Sequence, residues 1–508
     1  MNSEKKEFVM SAKNILQTEV YMPGVLTDCN GDFVLPDYMP KVQKVLRLEA
    51  HTTPPAKFVG AKDIGLSGNV LCSLVYLGED GEIGATVLPS KYEFSIPFDK
   101  NGAPQMLSAA VDVDTLNYRL SGPRKLSIRT RLRAKPRAFF STDISPMQEP
   151  EEREDISKLY GEIDSVNTVL LNANEITVSD SIPLGVGENS HLIWCGATAA
   201  VSDVKAVDGG VSVRGEVISK VIADDDGTLK FFSKKTPFEE FMEGDVNRGA
   251  GIYAYASVVS TEASKDSDEE ALVDVIVSVE ALADMQCKIP ILKDVFSSKG
   301  EGSVESREFE NRSSVASRSG IYNVGASVPV ADVSSVLDAS GNALIDEIIV
   351  NGGELTASGR CLLNVICLGD ENGVISNEYT VPFKITLGGD YSDAMVASGS
   401  AVLLNTRSRI DGNNIVFDMD IALCVRAAKN ESIATVEKYD FKTLKPYTEN
   451  KYPLCVVYSS GESLWTLAKK YHTSPEKLAK INMLDVGEAD MQKKEKLASC
   501  RALMLELK

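Results

Sequence analysis

The sequence is poor in the residues that most often carry catalysis. Its 508 residues include only three histidines, His51, His191 and His472, which lie far apart along the chain. None of them has a serine, cysteine or acidic residue at the spacing of a catalytic triad or a metal site. The glycine-rich motifs that bind nucleotide phosphates are also missing. We therefore expect no enzymatic activity, no cofactor and no bound metal.

Long apolar runs are missing as well. No run of 18 apolar residues occurs, so no transmembrane helix is expected. Residues 1–15 lack the apolar core and the cleavage site of a secretory signal. The nine cysteines are scattered over apolar strand patterns and are odd in number, which favours reduced, buried thiols. These features predict a cytoplasmic protein.

Positive charge is in short supply. The chain has 53 lysines and arginines against 73 acidic residues, which gives a net charge of −20 and an isoelectric point near 4.8. Such a charge disfavours nucleic acid or an anionic membrane as the main partner.

What the sequence does contain is a threefold repeat. Residues 66–98, 213–241 and 357–385 each hold a glycine, an alternating apolar strand, an acidic turn and a second strand that ends in Pro-Phe. The turn glycines are spaced 146 residues apart, a period too long for a solenoid and therefore typical of tandem domains. The recurring residues are Gly68, Gly215 and Gly359; the turn glycines Gly81, Gly227 and Gly373; and the pairs Pro97-Phe98, Pro237-Phe238 and Pro382-Phe383.

Each repeat closes with a further alternating strand, starting near Lys125, Leu272 and Asn414. Valine, isoleucine, threonine and phenylalanine dominate, so the fold class is mainly β, with three tandem antiparallel sandwich-like or barrel-like domains. A short helix is predicted over Met39–Leu46, with degenerate counterparts near Ser202 and Val330.

Polar stretches between the repeats are interpreted as linkers. The acidic segment 147–164, the Gly/Ser-containing segment 297–314 and the segment 443–452 separate the folded parts. The predicted boundaries are domain 1 at 1–146, domain 2 at 165–296, domain 3 at 315–442 and a small final module at 453–508.

The final module has its own pattern. Leu454, Val456 and Tyr458 alternate as in a strand, and Gly461 suits a turn. Two helical patterns follow, over residues 464–471 and 475–481, with Ser463 or Ser460 as the first cap and Ser474-Pro475 at the second start. The apolar stretch 502–507 completes a βααβ unit.

This module resembles the LysM family, which binds glycans built on N-acetylglucosamine. The resemblance covers residues 453–508 and places the binding groove in two short stretches. The implied groove residues are Gly461, Glu462, Ser463, Leu464, Ile481, Asn482, Met483 and Leu484. Beyond Leu484 the charged segment DVGEADMQKKEKLASC replaces the family's short polar loop, which fits a module reused to bind a protein.

The three repeats resemble the SPOCS domain of bacterial sporulation proteins, with the best match in the first repeat, from LPDYMPKVQKVLRLEA to SIPF. Tandem SPOCS domains followed by one LysM resemble the SpoVID/SipL-like spore morphogenetic proteins. This resemblance implies a non-enzymatic scaffold of endospore coat assembly, in the mother-cell cytoplasm at the forespore surface. Its implied partners are spore coat proteins, above all the basal-layer coat ATPase, docked by the LysM-like module. The alternative is that the module binds peptidoglycan or a lipid-linked wall precursor.

One charge pattern is a second candidate surface. Arg129, Arg131, Arg133 and Lys135 alternate along one predicted strand and so face one side of it. They are interpreted either as a solvated face neutralised by Asp112 and Asp114, or as a docking stripe for an acidic partner. In the second case, reversing the three arginines should leave the fold intact.

Overall fold

The computed structural model describes residues 14–22, 24–99, 102–146, 153–187, 190–267, 269–369, 373–443, 454–457, 462–484 and 503–506. Most of these residues form antiparallel strands, and the two helices among them lie in the C-terminal segment. The predicted mainly β fold class is therefore confirmed.

The strands up to residue 443 form six sheets that come in three pairs, called units 1, 2 and 3. Unit 1 contains β1 (Ile15–Tyr21), β2 (Val25–Val34), β3 (Val42–Thr52), β4 (Ala56–Val59), β5 (Asp63–Gly78), β6 (Ile83–Pro97), β7 (Met106–Gly122) and β8 (Lys125–Asp143). Unit 2 contains β9 (Ile156–Pro183), β10 (His191–Val207), β11 (Gly210–Asp225), β12 (Thr228–Glu243), β13 (Gly251–Lys265) and β14 (Glu270–Ser297). Unit 3 contains β15 (Gly300–Pro329), β16 (Val333–Asn351), β17 (Glu354–Gly369), β18 (Val374–Gly388), β19 (Met395–Asp411) and β20 (Asn414–Thr443).

The strand order is the same in the three units. The last strand of each unit, β8, β14 or β20, is central in one sheet and lies between the unit's first strand and the strand that precedes it in the chain. In unit 1 the first strand is split, because β1 and β2 pair with successive parts of β8. The second sheet of unit 1 has the order β3-β5-β6, and β4 also pairs with β5. The second sheets of units 2 and 3 have the orders β10-β11-β12 and β16-β17-β18.

Each unit buries an apolar core between its two sheets. In unit 1, Leu74 of β5 and Leu132 of β8 lie in the same buried cluster, and Val217 with Val277 and Leu363 with Ile421 do so in units 2 and 3. Alternating residues of each strand therefore face a sandwich interior. The SPOCS assignment and the domain boundaries stay predictions.

The repeated glycines have a packing role. The side chains of Phe238 and Phe383 lie across the pair from Gly215 and Gly359, and a Cβ at either glycine would fall within 2.8 Å of the ring. In unit 1 the residue opposite Gly68 is Tyr92, not Phe98. The predicted equivalence of Pro97-Phe98 with the later Pro-Phe pairs is therefore wrong, because the ring that covers the glycine in unit 1 comes earlier on β6.

The helix predicted over Met39–Leu46 is wrong. These residues lead into strand β3, which pairs with β5. Two register shifts, at Val42/Lys44 and Val45/Arg47, interrupt the alternation and bury Val42, Val45 and Leu46. Such β-bulges place apolar residues at a spacing that mimics a helix. The counterparts near Ser202 and Val330 are also strands or strand ends, with shifts of the same kind.

Units 2 and 3 extend beyond their sandwiches in two ribbons, which together form a stem. Beyond the reach of β13, residues 285–297 of β14 pair with 156–167 of β9. Residues 430–443 of β20 pair likewise with 300–312 of β15. The ribbons pack together through Leu292 and Val295 on one side and Val436, Tyr439 and Phe441 on the other.

The stem corrects the linker interpretation. β9 begins at Ile156 and β15 at Gly300, so much of segments 147–164 and 297–314 is strand. Residues 301–308 are exposed on both faces of the ribbon, so cross-strand backbone hydrogen bonds rather than apolar burial define this part of β15. This part of β15 therefore lacks the alternation of apolar and polar residues from which a strand is predicted. The third predicted linker, 443–452, lies outside the described residues except for Thr443, which ends β20.

A buried charge cluster joins the three units where the stem leaves the sandwiches. Arg426 of unit 3 donates two hydrogen bonds to Asp284 of unit 2, at 2.7 and 2.8 Å. Its remaining Nη donates to both oxygens of Glu19 of unit 1, at 2.9 and 2.7 Å. Arg137 and Arg312 also donate to Glu19, at 2.8 and 2.5 Å. Each of these side chains is at most 8% exposed, so the ions are paired in a nearly dry site.

Neutral groups complete the charge cluster. Gln17 accepts hydrogen bonds from Arg312 at 2.9 Å and from the Thr168 backbone at 2.7 Å. The Thr168 hydroxyl donates to Asp284 at 2.6 Å. Burial alone would raise the pKa of Glu19, but the guanidinium groups of Arg426, Arg137 and Arg312 outweigh it and hold that pKa well below its ordinary value.

We predict that Glu19→Gln lowers the free energy of unfolding at pH 7 by about 3–5 kcal/mol, the usual cost of removing one partner from a buried ion pair. The native pKa of Glu19 is depressed, so its contribution is complete above the unfolded pKa of about 4.3 and is lost as pH falls below it. Urea unfolding at several pH values should therefore show the difference between wild type and variant shrinking in acid. The control Glu305→Gln, at an exposed stem position, should match wild type; a constant difference at all pH values would contradict the assignment.

Candidate functional site

The C-terminal module folds as the sequence predicts. Strand β21 (Leu454–Val457) pairs antiparallel with β22 (Leu503–Glu506), and the helices α1 (Leu464–Lys470) and α2 (Pro475–Ile481) lie between them in the chain. The βααβ order is therefore confirmed.

Both helices begin at serine caps. The Ser463 hydroxyl accepts a hydrogen bond from the Thr466 backbone N–H, and Ser474 accepts one from Lys477, each at 3.2 Å. Pro475 follows the second cap, where its missing N–H costs nothing. Of the two predicted candidates for the first cap, Ser463 is the one used.

In the first predicted groove stretch, residues 461–464, the described side chains mainly make contacts within the module. Gly461 lies outside the described residues. Glu462 is partly exposed and pairs with Lys470 at 3.4 Å, Ser463 is the helix cap, and Leu464 is 2% exposed in the module core. This stretch can therefore offer a ligand backbone groups and the Glu462 carboxylate, but little apolar surface.

Asn482 is a closing clamp of the module. Its side-chain amide donates to the carbonyls of Leu478 and Met504, at 2.8 and 2.9 Å. Its side-chain oxygen accepts from the Met504 N–H at 2.7 Å. These bonds fasten the end of α2 to β22, so the side chain of Asn482, a predicted groove residue, is engaged in holding the module together.

The second groove stretch has an open rim. Ile481 and Leu484 are partly buried, whereas Met483 is 94% exposed. Met483 also has a φ of 52°, a left-handed conformation that is unfavourable for a residue with a Cβ. The neighbouring Leu484 N–H donates to the Ala479 carbonyl at 2.9 Å, which holds this turn. The turn therefore presents one flexible apolar side chain to solvent.

The module is seated on the tip of the stem, a contact that the sequence analysis misses. The Trp465 ring packs edge-on against Phe296 of β14, with centroids 4.9 Å apart. Its indole N–H donates to Asp294 at 2.8 Å, and Lys469 pairs with the same carboxylate at 2.7 Å. Leu159 of β9 joins the same apolar cluster. Trp465 is buried, partly against unit 2.

A sequence signal for this seat exists. Trp465 and Lys469 stand four residues apart, so they share one face of α1. An aromatic and a cation together on one face of a short helix fit a site with an apolar surface and a carboxylate, as Phe296 and Asp294 provide.

The basic stripe divides into two halves. Arg129 and Arg131 are exposed, and Arg131 pairs with Asp28 at 3.0 Å. Arg133 forms an ion pair with Asp114, and Lys135 pairs with Asp112 at 2.7 Å with its side chain 15% exposed. The predicted neutralisation by Asp112 and Asp114 is thus confirmed for Arg133 and Lys135, the inner half of the stripe.

Only the outer half of the predicted docking stripe is exposed. Arg129 and Arg131 can reach a partner, whereas Arg133 and Lys135 are committed to the fold. Reversing Arg133 would set a carboxylate against Asp114, so the expectation that all three reversals leave the fold intact is withdrawn for this residue.

A comparison with protein families matches residues 459–487 to the LysM domain. This match covers both helices and both groove stretches. Searches of curated proteins and of solved structures gave no match. Within the ranges that the structure describes, no helix is long and apolar enough to cross a membrane. The class shown is thus a LysM-containing protein, with no relative to extend that assignment to the three β units.

We predict that Lys469→Glu releases the module from the stem, because the new carboxylate would face Asp294. Small-angle scattering should show an increased radius of gyration for the variant. Lys470→Glu is the matched control, since this neighbouring lysine pairs with Glu462 inside the module. The double variant Lys469→Glu/Asp294→Asn should restore the compact form, because the amide can still accept from the Trp465 indole and can donate to the new carboxylate. Unchanged scattering of Lys469→Glu would refute the seat.

Proposed function

We propose that this protein is a non-enzymatic binding protein whose LysM domain recognises a glycan containing N-acetylglucosamine, such as peptidoglycan or a lipid-linked wall precursor. The observation that carries the proposal is the LysM match over residues 459–487, which includes the two stretches expected to line a groove. Met483 offers an exposed apolar side chain beside the predicted groove, and the hydrogen bonds of Asn482 to β22 fix the neighbouring backbone.

The β units serve in this proposal as a platform. The charge cluster joins the three units, and the stem carries the module at its tip through Trp465 and Lys469. A groove held on a rigid support loses little conformational entropy when it binds, so even a small contact area can contribute to affinity.

A second candidate is a scaffold of endospore coat assembly, in which the module docks a basal coat protein such as the coat ATPase. The three β units with one strand order favour it, because repeated surfaces on one chain raise the effective concentration of partners. This reading places the protein in the mother-cell cytoplasm at the forespore surface and rests on the SPOCS and SpoVID/SipL resemblance. The exposed Met483 suits a protein ligand too, since methionine adapts to irregular apolar surfaces.

Co-sedimentation of the full chain with purified peptidoglycan tests the leading proposal. We expect saturable binding that Met483→Asp weakens by about tenfold, because a charge would replace an apolar contact at the groove rim. Tyr38→Asp is the matched control, since Tyr38 is 87% exposed on unit 1, far from the module in sequence.

The outcomes separate the two candidates. Failure of the wild-type chain to sediment with peptidoglycan would reject glycan recognition. Capture of a coat protein by the full chain from sporulating cells, with loss on Met483→Asp, would then favour the scaffold. Equal sedimentation of wild type and Met483→Asp would move the glycan contact away from the predicted groove.

A further inference from the structure

A cavity lies where the three units meet. It has two adjoining chambers, of about 300 and 220 Å³. Their shared lining comes from corresponding strands of the units, β3, β10 and β16, with one residue of β19. The shared residues are Ala50, His51, Ala197, Thr198, Asn342 and Leu403. We call this space the axial cavity.

The second chamber is lined by two buried polar side chains that have no hydrogen-bond partner in the described part of the chain. Trp194 and Thr406 are 8% and 9% exposed. Among the described residues, neither the indole N–H of Trp194 nor the hydroxyl of Thr406 has a hydrogen-bond partner. A buried polar group without a hydrogen-bond partner is destabilising, so an occupant with hydroxyl groups would be stabilised there.

The charges around the axial cavity are already paired. In the first chamber Lys135 pairs with Asp112 at 2.7 Å and Lys57 pairs with Glu280. In the second, Lys220 pairs with Asp338 at 3.0 Å. An ionic ligand would therefore bring an uncompensated charge into the cavity, which is costly. A neutral ligand meets no such penalty.

The Glu280 carboxylate is further satisfied by neutral donors. Ser108 and Tyr255 each donate to it at 2.6 Å. His51 lines both chambers, and desolvation lowers the pKa of its imidazole. The ring of Tyr255 and that of Tyr253 line the first chamber and add apolar surface. Apolar walls with a few polar groups are the usual make-up of a small-molecule pocket.

We propose that the axial cavity binds a neutral, hydroxyl-bearing small molecule of monosaccharide size. A hydroxyl can accept from the Trp194 indole and exchange a hydrogen bond with Thr406, because it both donates and accepts. This site is separate from the LysM groove and does not depend on glycan recognition there.

Calorimetric titration of the full chain tests the proposal with glucose and mannose as neutral probes and glucose 6-phosphate as the charged counterpart. We expect at least one neutral sugar to bind with the phosphate ester excluded. Thr406→Val should weaken binding by about tenfold, the loss of one hydrogen bond, while Thr406→Ser retains it. Ala197→Leu, which fills the junction of the chambers, should abolish it.

A groove variant keeps the two sites apart. Met483→Asp should leave the glucose titration unchanged, whatever its effect on sedimentation with peptidoglycan. The proposal is overturned if neither neutral sugar binds, if Thr406→Val and Ala197→Leu bind like wild type while remaining folded by circular dichroism, or if a crystal structure grown with the sugar shows only water in both chambers.

Discussion

The Arg426 guanidinium, held between Asp284 and Glu19, is the interaction on which the arrangement of the units depends. Its three nitrogens are shared by carboxylates from two other units, and it is almost fully buried. Separating the units would take the carboxylates away from the guanidinium groups of the cluster. A buried charge without a partner is far more costly than a buried pair, so this separation is unfavourable. The Glu19 carboxylate shows the balance, since its pKa stays low only while Arg426, Arg137 and Arg312 surround it. The three sandwiches are therefore coupled by electrostatics as well as by apolar contact.

The charge cluster also sets the position of the candidate site. It lies where the ribbons of units 2 and 3 leave their sandwiches, because Asp284 is the last β14 residue opposite β13 and Arg426 lies near the end of the β19 pairing. From Asp284, Asp294 lies 10 and Phe296 lies 12 residues further along β14, so the seat that they form is roughly 33–40 Å away at strand geometry. The module thus stands away from the body with its Met483 rim exposed. This separation would let a bulky ligand reach the groove without colliding with the β units.

Much of this fold can be predicted from local patterns, and the remainder depends on distant partners. The alternating residues of β8 and the caps at Ser463 and Ser474 identify strands and helices, because they depend on near neighbours alone. The bulges in β3 and the polar strand β15 cannot be predicted from local patterns, because they depend on pairing with β5 and β20. The pairing of Glu19 with Arg426 joins residues 407 positions apart. In the candidate site the groove stretches follow from the LysM resemblance, but the roles of Asn482 and Trp465 require their partners Met504 and Asp294.

Scanning calorimetry of the intact chain tests the central claim, that buried charges make the three units one cooperative body. The account predicts one transition for the body, with calorimetric and van't Hoff enthalpies in agreement. Replacing Arg426 with alanine should split that transition into separate events at lower temperature, because Asp284 and Glu19 would lose their shared partner. Three independent transitions in the wild-type chain, or an unsplit and unshifted transition in Arg426→Ala, would contradict it.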